Sequence, residues 1–363
     1  MPAKLLVAAG GTGGHLYPAL AVAEQFMSLA KDASVTFVGT ARGLESRIVP
    51  RAGFPLELVR AAPLRGGSII RKLRGALAIF PALLDAAALL RRIQPSVVMG
   101  VGAYVSGTVL LVAALGRLPT LILEQNAEPG LTNRWLGPFV DEAACAWEET
   151  TRHFGRKGFV TGNPVRESIF EVPALVRSED IMRVLVFGGS QGSTLLNRVV
   201  TASLPHLEDY AGRIRFVHQT GPRDLELVTK AYAESKVSAE VTAYIDAMDE
   251  AYAGADLVVS RAGATTCAEL AACGRPALLI PLSLAGGHQE RNAEMMASAG
   301  AARFIRESSF DPERLASELI RLFESPDERM TMAERARSLA RPGAARTVAE
   351  RLVALSEQKA ARS

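Results

Sequence analysis

Lys4-Leu5-Leu6-Val7-Ala8-Ala9-Gly10-Gly11-Thr12-Gly13-Gly14-His15 is the stretch from which the fold can be read. An apolar run without polar alternation fits a strand buried on both faces, as a parallel sheet requires when helices cover it. The glycines that follow let the backbone turn sharply and approach a ligand, and the free N–H groups of the helix start beyond them attract phosphate. Strand, glycine turn and helix return in the same order at Arg183-Val184-Leu185-Val186-Phe187 and Gly188-Gly189-Ser190-Gln191-Gly192. A tight strand-to-helix turn also uses glycine for purely structural reasons, so either loop alone is weak evidence for an anion cradle. Two at corresponding places strengthen it.

Around the first loop, apolar runs at Ser34–Val38, Leu56–Val59, Ser96–Met99 and Thr120–Leu123 alternate with helical patterns; around the second lie Arg213–Val217, Ala239–Ala243, Asp256–Val259 and Pro276–Ile280. Each half is therefore expected to be α/β, a doubly wound domain with a parallel sheet. A chain of 363 residues is too long for one ordinary core and fits about two domains of ~150–200 residues, with a cleft implied between them. Pro164, Pro173 and a charged stretch between Gly162 and Asp180 mark the join, giving domains over 1–162 and 163–342. After Pro342 and Gly343 a last helical pattern runs over Ala345–Gln358. By analogy with paired Rossmann-like domains, that helix crosses back to the first.

Hydrophobic residues make up 48% and charged residues 22% of the chain, which supports large cores and excludes disordered and collagen-like classes. A formal net charge of +3 with a pI near 8.8 gives no argument for a nucleic-acid partner. Cys145, Cys267 and Cys273 form an odd set without CxxC spacing, against a disulfide framework or a zinc site and in favour of a reducing compartment. The single cation Lys4 and the short run Leu5–Ala9 do not make a signal peptide. The longest apolar stretch, Ala76–Leu90, contains Pro81 and Asp85 and is too short for a bilayer core of ~30 Å.

The first loop is not G-x-G-x-x-G, and no acidic residue stands out ~20 residues on to hold a dinucleotide ribose, which disfavours an oxidoreductase. No G-x-x-x-x-G-K-[ST] sequence occurs, so P-loop hydrolysis of ATP or GTP has no support. A third cluster, Arg261-Ala262-Gly263-Ala264-Thr265-Thr266-Cys267-Ala268-Glu269, follows the run Asp256–Val259 and opens a helix with small residues. Its N–H groups and two hydroxyls suit a diphosphate, and Glu269 suits ribose hydroxyls; the plain alternative is a capped helix start with a solvated Glu. A fourth, Gly286-Gly287-His288-Gln289-Glu290-Arg291-Asn292, begins another helix. Gln289 and Asn292 share one face of it, where amides suit sugar hydroxyls. Together the four clusters point to a nucleotide-sugar.

These clusters, in this order, resemble the MurG family, whose members add GlcNAc from UDP-GlcNAc to undecaprenyl-pyrophosphoryl-MurNAc-pentapeptide. The likeness spans nearly the whole chain: Gly10 to His15 with Pro18; Gly102-Ala103-Tyr104-Val105-Ser106-Gly107; Glu124-Gln125-Asn126 with Gly130 and Asn133; Gly162-Asn163-Pro164-Val165-Arg166; Gly188 to Gly192; Ala264 to Glu269; and His288-Gln289 with Asn292. Ala103 departs from a common glycine by one methyl, and His288 stands where some members carry glutamine.

The resemblance implies a GT-B fold of two Rossmann-like domains, the donor mostly on the C-terminal one and the acceptor on the N-terminal one. It implies that Ser190 and Arg166 hold the donor diphosphate, the Ile245 backbone reads the uracil edge, and Glu269 takes the ribose. Ala264, Thr265, Thr266, Gln289 and Asn292 would line the diphosphate and GlcNAc. Thr12, Gly13, Gly14 and Asn126 would close on them from the other wall of the cleft, with Tyr104 on the acceptor side. An α-linked donor and a β-linked product imply one in-line displacement by the MurNAc 4-hydroxyl. His15 is the candidate base, because an imidazole with an ordinary pKa near ~6.5 accepts a proton at cytoplasmic pH; the plain alternative is a structural or phosphate-contacting histidine. No D-x-D sequence occurs, so departing UDP is expected to be met by Arg166, loop N–H groups and the helix start at Ala264, with no metal and no cofactor.

Arg65, Arg71, Lys72, Arg74, Arg91 and Arg92 surround Ile69, Ile70, Leu73, Leu77, Ile79, Phe80, Leu83 and Leu84. Apolar residues flanked by cations suit an anionic bilayer surface; a buried amphipathic helix with a basic edge is the alternative. The expected location is peripheral, on the cytoplasmic face of the bacterial plasma membrane, near lipid I and other wall-synthesis proteins. His153, His206 and His218 stand at no metal-ligand or triad spacing and are assigned no role. The competing functions are a related GT-B enzyme, either a UDP-GlcNAc epimerase or a diacylglycerol glycosyltransferase, and a non-catalytic nucleotide-sugar-binding subunit.

Overall fold

The apolar runs form two parallel sheets in the computed structural model, which describes residues 2–10, 13–41, 43–60, 69–178, 180–283 and 287–362. Thr12 and Arg65 lie outside the described residues, as do Gly11, Gly286 and the side chains of residues 69–79 and of Ala103. The chain forms two units, Met1–Val165 with Gly343–Ser363, and Arg166–Pro342. The division falls after Val165 rather than after Gly162.

In the first unit the strands are β1 (Lys4–Ala8), β2 (Ser34–Gly39), β3 (Leu56–Leu58), β4 (Val97–Gly100), β5 (Thr120–Glu124), β6 (Glu142–Cys145) and β7 (Gly158–Val160), in the order β3-β2-β1-β4-β5-β6-β7. Between them run α1 (Gly13–Leu29), α2 (Glu45–Arg51), α3 (Ile69–Ile93), α4 (Ala103–Leu115), α5 (Leu131–Leu136) and α6 (Glu148–Thr151). Alternate side chains of β1 leave on opposite faces. Leu5 and Val7 pack with Leu16, Leu20 and Phe26 of α1, whereas Leu6 and Ala8 pack with Leu89 of α3, Val109 of α4 and Leu136 of α5. Helices thus cover both faces, which is why the strand carries no polar alternation.

The second unit holds β8 (Met182–Phe187), β9 (Ile214–Gln219), β10 (Ala239–Thr242), β11 (Leu257–Ser260), β12 (Ala277–Leu279) and β13 (Ala302–Phe304), in the order β10-β9-β8-β11-β12-β13. Its helices are α7 (Glu167–Phe170), α8 (Thr194–Ser203), α9 (Leu225–Ala233), α10 (Met248–Ala253), α11 (Ala264–Cys273), α12 (His288–Ser298), α13 (Pro312–Glu324) and α14 (Pro326–Ser338). Val184, Val186, Phe216, Leu257 and Val259 of the sheet pack with Leu196 and Val200 of α8 and Leu315 and Leu319 of α13. The last helix, α15 (Ala344–Arg362), lays Ala345, Val348, Ala349, Leu352 and Leu355 into the first unit's core beside Leu5 and Val7. This spacing of three and four is an amphipathic helical stripe. Arg351 on its other side donates from Nε to Glu142 Oε2 of β6 at 2.9 Å.

In each sheet the winding reverses beside the first strand, between β1 and β4 and between β8 and β11. At such a switch point the loops leaving the carboxyl ends of the strands splay apart and leave room for a ligand. Among the described residues no helix is long and apolar enough to cross a membrane.

Candidate active site

The first unit gathers its polar groups where β1, β4 and β5 end. His15 lies in the first turn of α1, half-buried. Its ring rests against Gly102, the turn residue after β4: a Cβ there would stand 3.4 Å from both Cδ2 and Nε2 of His15, and Gly102 has φ +94°. Only glycine meets both conditions without strain. Tyr104, partly exposed, follows in the first turn of α4.

After β5 the buried carboxylate of Glu124 organises the next loop. Its Oε1 accepts from the Asn126 backbone N–H at 2.9 Å and from Asn126 Nδ2 at 3.1 Å, and its Oε2 accepts from Gly130 N–H at 2.9 Å and Asn133 Nδ2 at 2.8 Å. Four donors on one buried carboxylate hold the loop in one shape. Beneath the glycine turn sits a second buried carboxylate, Glu45, which accepts from Thr40 N–H at 2.8 Å and Thr40 Oγ1 at 2.9 Å. A Cβ on Gly10 would come within 3.3 Å of its Oε1. Gly13 is buried and Gly14 exposed at the helix start.

In the second unit the loop after β8 presents Ser190 half-buried, and Ser193 caps α8 by accepting from Leu196 N–H at 3.4 Å. Arg261, buried after β11, donates to Ser193 Oγ at 3.0 Å through Nη2 and to Ile280 O at 3.1 Å through Nη1, and pairs with Glu307 at 2.7 Å. It ties three strand ends together. Ala264 and Thr266 at the start of α11 are half-exposed, whereas Thr265 is buried.

Glu269 faces Arg166, with Nη2 and Oε1 3.8 Å apart, while its Oε2 accepts from the Tyr252 hydroxyl at 3.0 Å. Burial pushes the Glu269 carboxyl above its ordinary range, opposed by the Arg166 charge and the Tyr252 hydrogen bond. Burial pushes the Tyr252 phenol well up too, so it remains a proton-bearing donor to Glu269. In the same helix, burial pushes the Cys267 thiol up to about 12, making it a packing group rather than a nucleophile.

Two expectations change with the structure. Asn292, read as half of a sugar-facing amide pair with Gln289, is 0% exposed, and its Nδ2 donates to Ala262 O at 3.1 Å. It braces the turn before α11 from behind, because its helix packs that side inward. Gln289 is half-buried and its Oε1 accepts from Leu282 N–H at 3.0 Å. The Ile245 N–H, half of the expected backbone contact to uracil, is engaged by Gln219 Oε1 at 3.1 Å. Glu45, Gln219 and Tyr252 belong to no motif. The available signal for Gln219 was the polar pair His218-Gln219 closing an otherwise apolar strand at its carboxyl end. Among the described residues no group of three or more His, Cys, Asp or Glu could hold a metal ion.

Two doubly wound parallel units, each with a glycine turn and convergent polar groups at its switch point, are the architecture of the GT-B class of nucleotide-sugar enzymes. Residues 5–145 match the glycosyltransferase family 28 N-terminal domain and residues 183–348 its C-terminal domain. The chain is 47% identical to the UDP-N-acetylglucosamine–N-acetylmuramyl-(pentapeptide) pyrophosphoryl-undecaprenol N-acetylglucosamine transferase of Anaeromyxobacter sp. (strain Fw109-5), over 94% of this chain and 91% of that protein. It is 43% identical to the transferase of the same name from Geobacter metallireducens, over 94% and 96%. The crystal structure of Acinetobacter baumannii MurG superposes with a TM-score of 0.76 at 29% identity, covering 97% of this chain and 99% of that one. The chain belongs to the MurG family within glycosyltransferase family 28.

Proposed function

We propose that the protein is an inverting glycosyltransferase that moves GlcNAc from UDP-GlcNAc to the 4-hydroxyl of MurNAc in undecaprenyl-pyrophosphoryl-MurNAc-pentapeptide, converting lipid I to lipid II in peptidoglycan synthesis. The observation that carries this reading is 43–47% identity over 94% of the chain to transferases named for that donor and acceptor.

In the second unit, Arg166, Ser190 and the N–H groups opening α11 hold the diphosphate, Glu269 takes the ribose, and Gln289, Ala264, Thr265 and Thr266 approach the sugar. Arg166 serves two partners in this scheme, neutralising Glu269 and facing the phosphate charge. The first unit takes the acceptor beside Tyr104 and supplies His15, while Gly13, Gly14 and Asn126 close on the donor sugar and diphosphate. The acceptor oxygen bonds to the anomeric carbon as the bond from that carbon to the β-phosphate oxygen breaks. The hydroxyl proton passes to the His15 imidazole and the electron pair leaves with UDP, whose charge meets Arg166 and the helix-start N–H groups. One displacement inverts the α-linkage to β.

Peripheral attachment to the cytoplasmic face of the plasma membrane follows from the acceptor, whose lipid stays in the bilayer. Phe80 and Leu84 of α3, Leu131 and Trp135 of α5, and Phe139 are exposed, and α3 and α5 both pack on one face of the first sheet. Arg91 and Arg134 are exposed on the same two helices. An apolar surface with cations beside it supports docking on anionic lipid.

The deciding experiment follows radiolabelled GlcNAc from UDP-GlcNAc to a short-chain lipid I analogue, with UDP release measured in the same tube. Acceptor-dependent transfer matched by UDP release is expected. UDP release or sugar isomerisation without acceptor would instead establish the epimerase reaction.

A further inference from the structure

Gln219 closes β9 and is 3% exposed. Its Nε2 donates to Gly189 O at 2.9 Å and its Oε1 accepts from Ile245 N–H at 3.1 Å. One buried amide therefore bridges the glycine loop after β8 and the segment after β10.

Each bond orients a peptide plane. A trans peptide sets its C=O and N–H in opposite directions, so holding Gly189 C=O against Gln219 turns the Ser190 N–H away from it. Gly189 O also accepts from Gly192 N–H at 2.9 Å, which closes the turn around the same carbonyl. The plane between Tyr244 and Ile245 is pinned on both sides, since Tyr244 O accepts from Thr242 Oγ1 at 3.1 Å. The loop after β9, which Gln219 opens, also meets the glycine loop backbone to backbone. A Cβ on Gly192 would stand 2.0 Å from Thr220 O, and one on Gly221 2.3 Å from Gln191 O. At both glycines φ is positive, +73° and +78°, so no other residue fits the contact without displacing it.

We infer that Gln219 is a positioning residue for the donor nucleotide: it fixes the distance and orientation between the loop that holds the diphosphate and the segment that reads the base. This rests on the proposed donor site, with Ser190 at the diphosphate and the backbone at Ile245, whose N–H is taken by Gln219, meeting the base through its carbonyl. A nucleotide whose base is recognised at one loop is thereby held with its phosphates in register with the other. Base selection and phosphate binding are coupled through one side chain that does not touch the reacting atoms.

Two variants test it. Gln219→Glu keeps an oxygen for Ile245 N–H but sets a second oxygen against Gly189 O; Gln219→Leu removes both bonds. UDP and ADP affinities are measured by calorimetry, and KM for UDP-GlcNAc and for the lipid I analogue by transfer, after thermal melting establishes that each variant is folded. Both variants are expected to weaken UDP binding and raise the donor KM at least tenfold, with the acceptor KM within twofold of the parent. In Gln219→Leu the preference for UDP over ADP should also fall at least tenfold. UDP affinity within twofold of the parent in either variant overturns the inference, as does weakened binding with an unchanged base preference in Gln219→Leu, which is the mark of general loosening. If Gln219→Leu does not fold, the isosteric Gln219→Glu decides by its UDP affinity. Failure of the unaltered protein to bind UDP would be seen before any variant is compared; it overturns the donor assignment itself and the coupling with it.

Discussion

His15 combines a titratable side chain with a fixed seat, and its seat is made by a glycine that has no side chain to contribute. If it is the base, His15→Ala is expected to lower kcat by about 10²–10⁴-fold while leaving the KM for UDP-GlcNAc near the parent value, and the acidic limb of the pH–rate profile should flatten. Near-normal turnover with an unchanged profile would move the base elsewhere. The position of His15 was legible in the sequence because it ends a glycine loop, where a strand turns into a helix. Glu45 and Gln219 were not legible. Gln219 bonds the backbone of two loops distant in sequence, and Glu45 holds Thr40 while packing under Gly10; such contacts leave no pattern in the residues around them. Asn292 shows the converse: helical spacing gave the side on which Gln289 and Asn292 lie, but which part of that side is covered depends on the turn at Ala262, brought there by the fold.

At the scale of elements, strands buried on both faces were plain wherever Val, Ile and Leu dominate, as in β1, β4, β5, β8 and β11. β6 and β13 escaped because Glu142-Ala143-Ala144-Cys145 and Ala302-Arg303-Phe304 carry no β-branched residue, and β7, Gly158-Phe159-Val160, is too short to show a period. In β9, His218 was given no role, and the structure makes it an internal tie between elements. Asn197 Nδ2 donates to Thr220 O and to Asp224 Oδ2, both at 2.8 Å, so the 3.1 Å contact between Asn197 Oδ1 and His218 Nε2 requires the proton on Nε2. Nδ1 then accepts from the Tyr232 hydroxyl at 3.2 Å.

Burial lowers the His218 pKa to about 4, below the ordinary ~6.5 of an unfolded histidine. Between those values the unfolded chain takes a proton that the folded chain refuses, so this stability is present above ~6.5 and is lost as pH falls toward 4. The slope approaches about 1.4 kcal/mol per pH unit for one proton. His218→Gln, which cannot titrate, should show a smaller drop in urea midpoint between pH 7 and pH 5 than the parent. Equal drops would show that the proton enters without cost.

For the whole molecule, the surface of the first unit and the path of the chain matter most. Trp135, 75% exposed on α5, lies outside the basic stretch that suggests a membrane face in the sequence, because α5 packs on α4, the neighbour of α3, only through the fold. Leu131→Ser with Trp135→Ser is expected to reduce sedimentation with anionic vesicles several-fold while leaving UDP affinity unchanged. Equal sedimentation of the parent with neutral and anionic vesicles would count against electrostatic docking.

The return of α15 to the core beside β1 has a consequence for synthesis on the ribosome. The second unit is one uninterrupted segment, so it can fold as soon as it clears the exit tunnel. The first unit starts earlier yet finishes later: the side of its sheet carrying Leu5 and Val7 waits for Leu352 and Leu355 to be translated. A nascent chain of this design passes through a stage in which a completed C-terminal half is tethered to an open N-terminal one, a natural client for chaperones that bind apolar surface. Expressed alone, residues 166–342 are therefore expected to melt cooperatively, whereas residues 1–165 should aggregate unless a peptide carrying residues 343–363 is supplied.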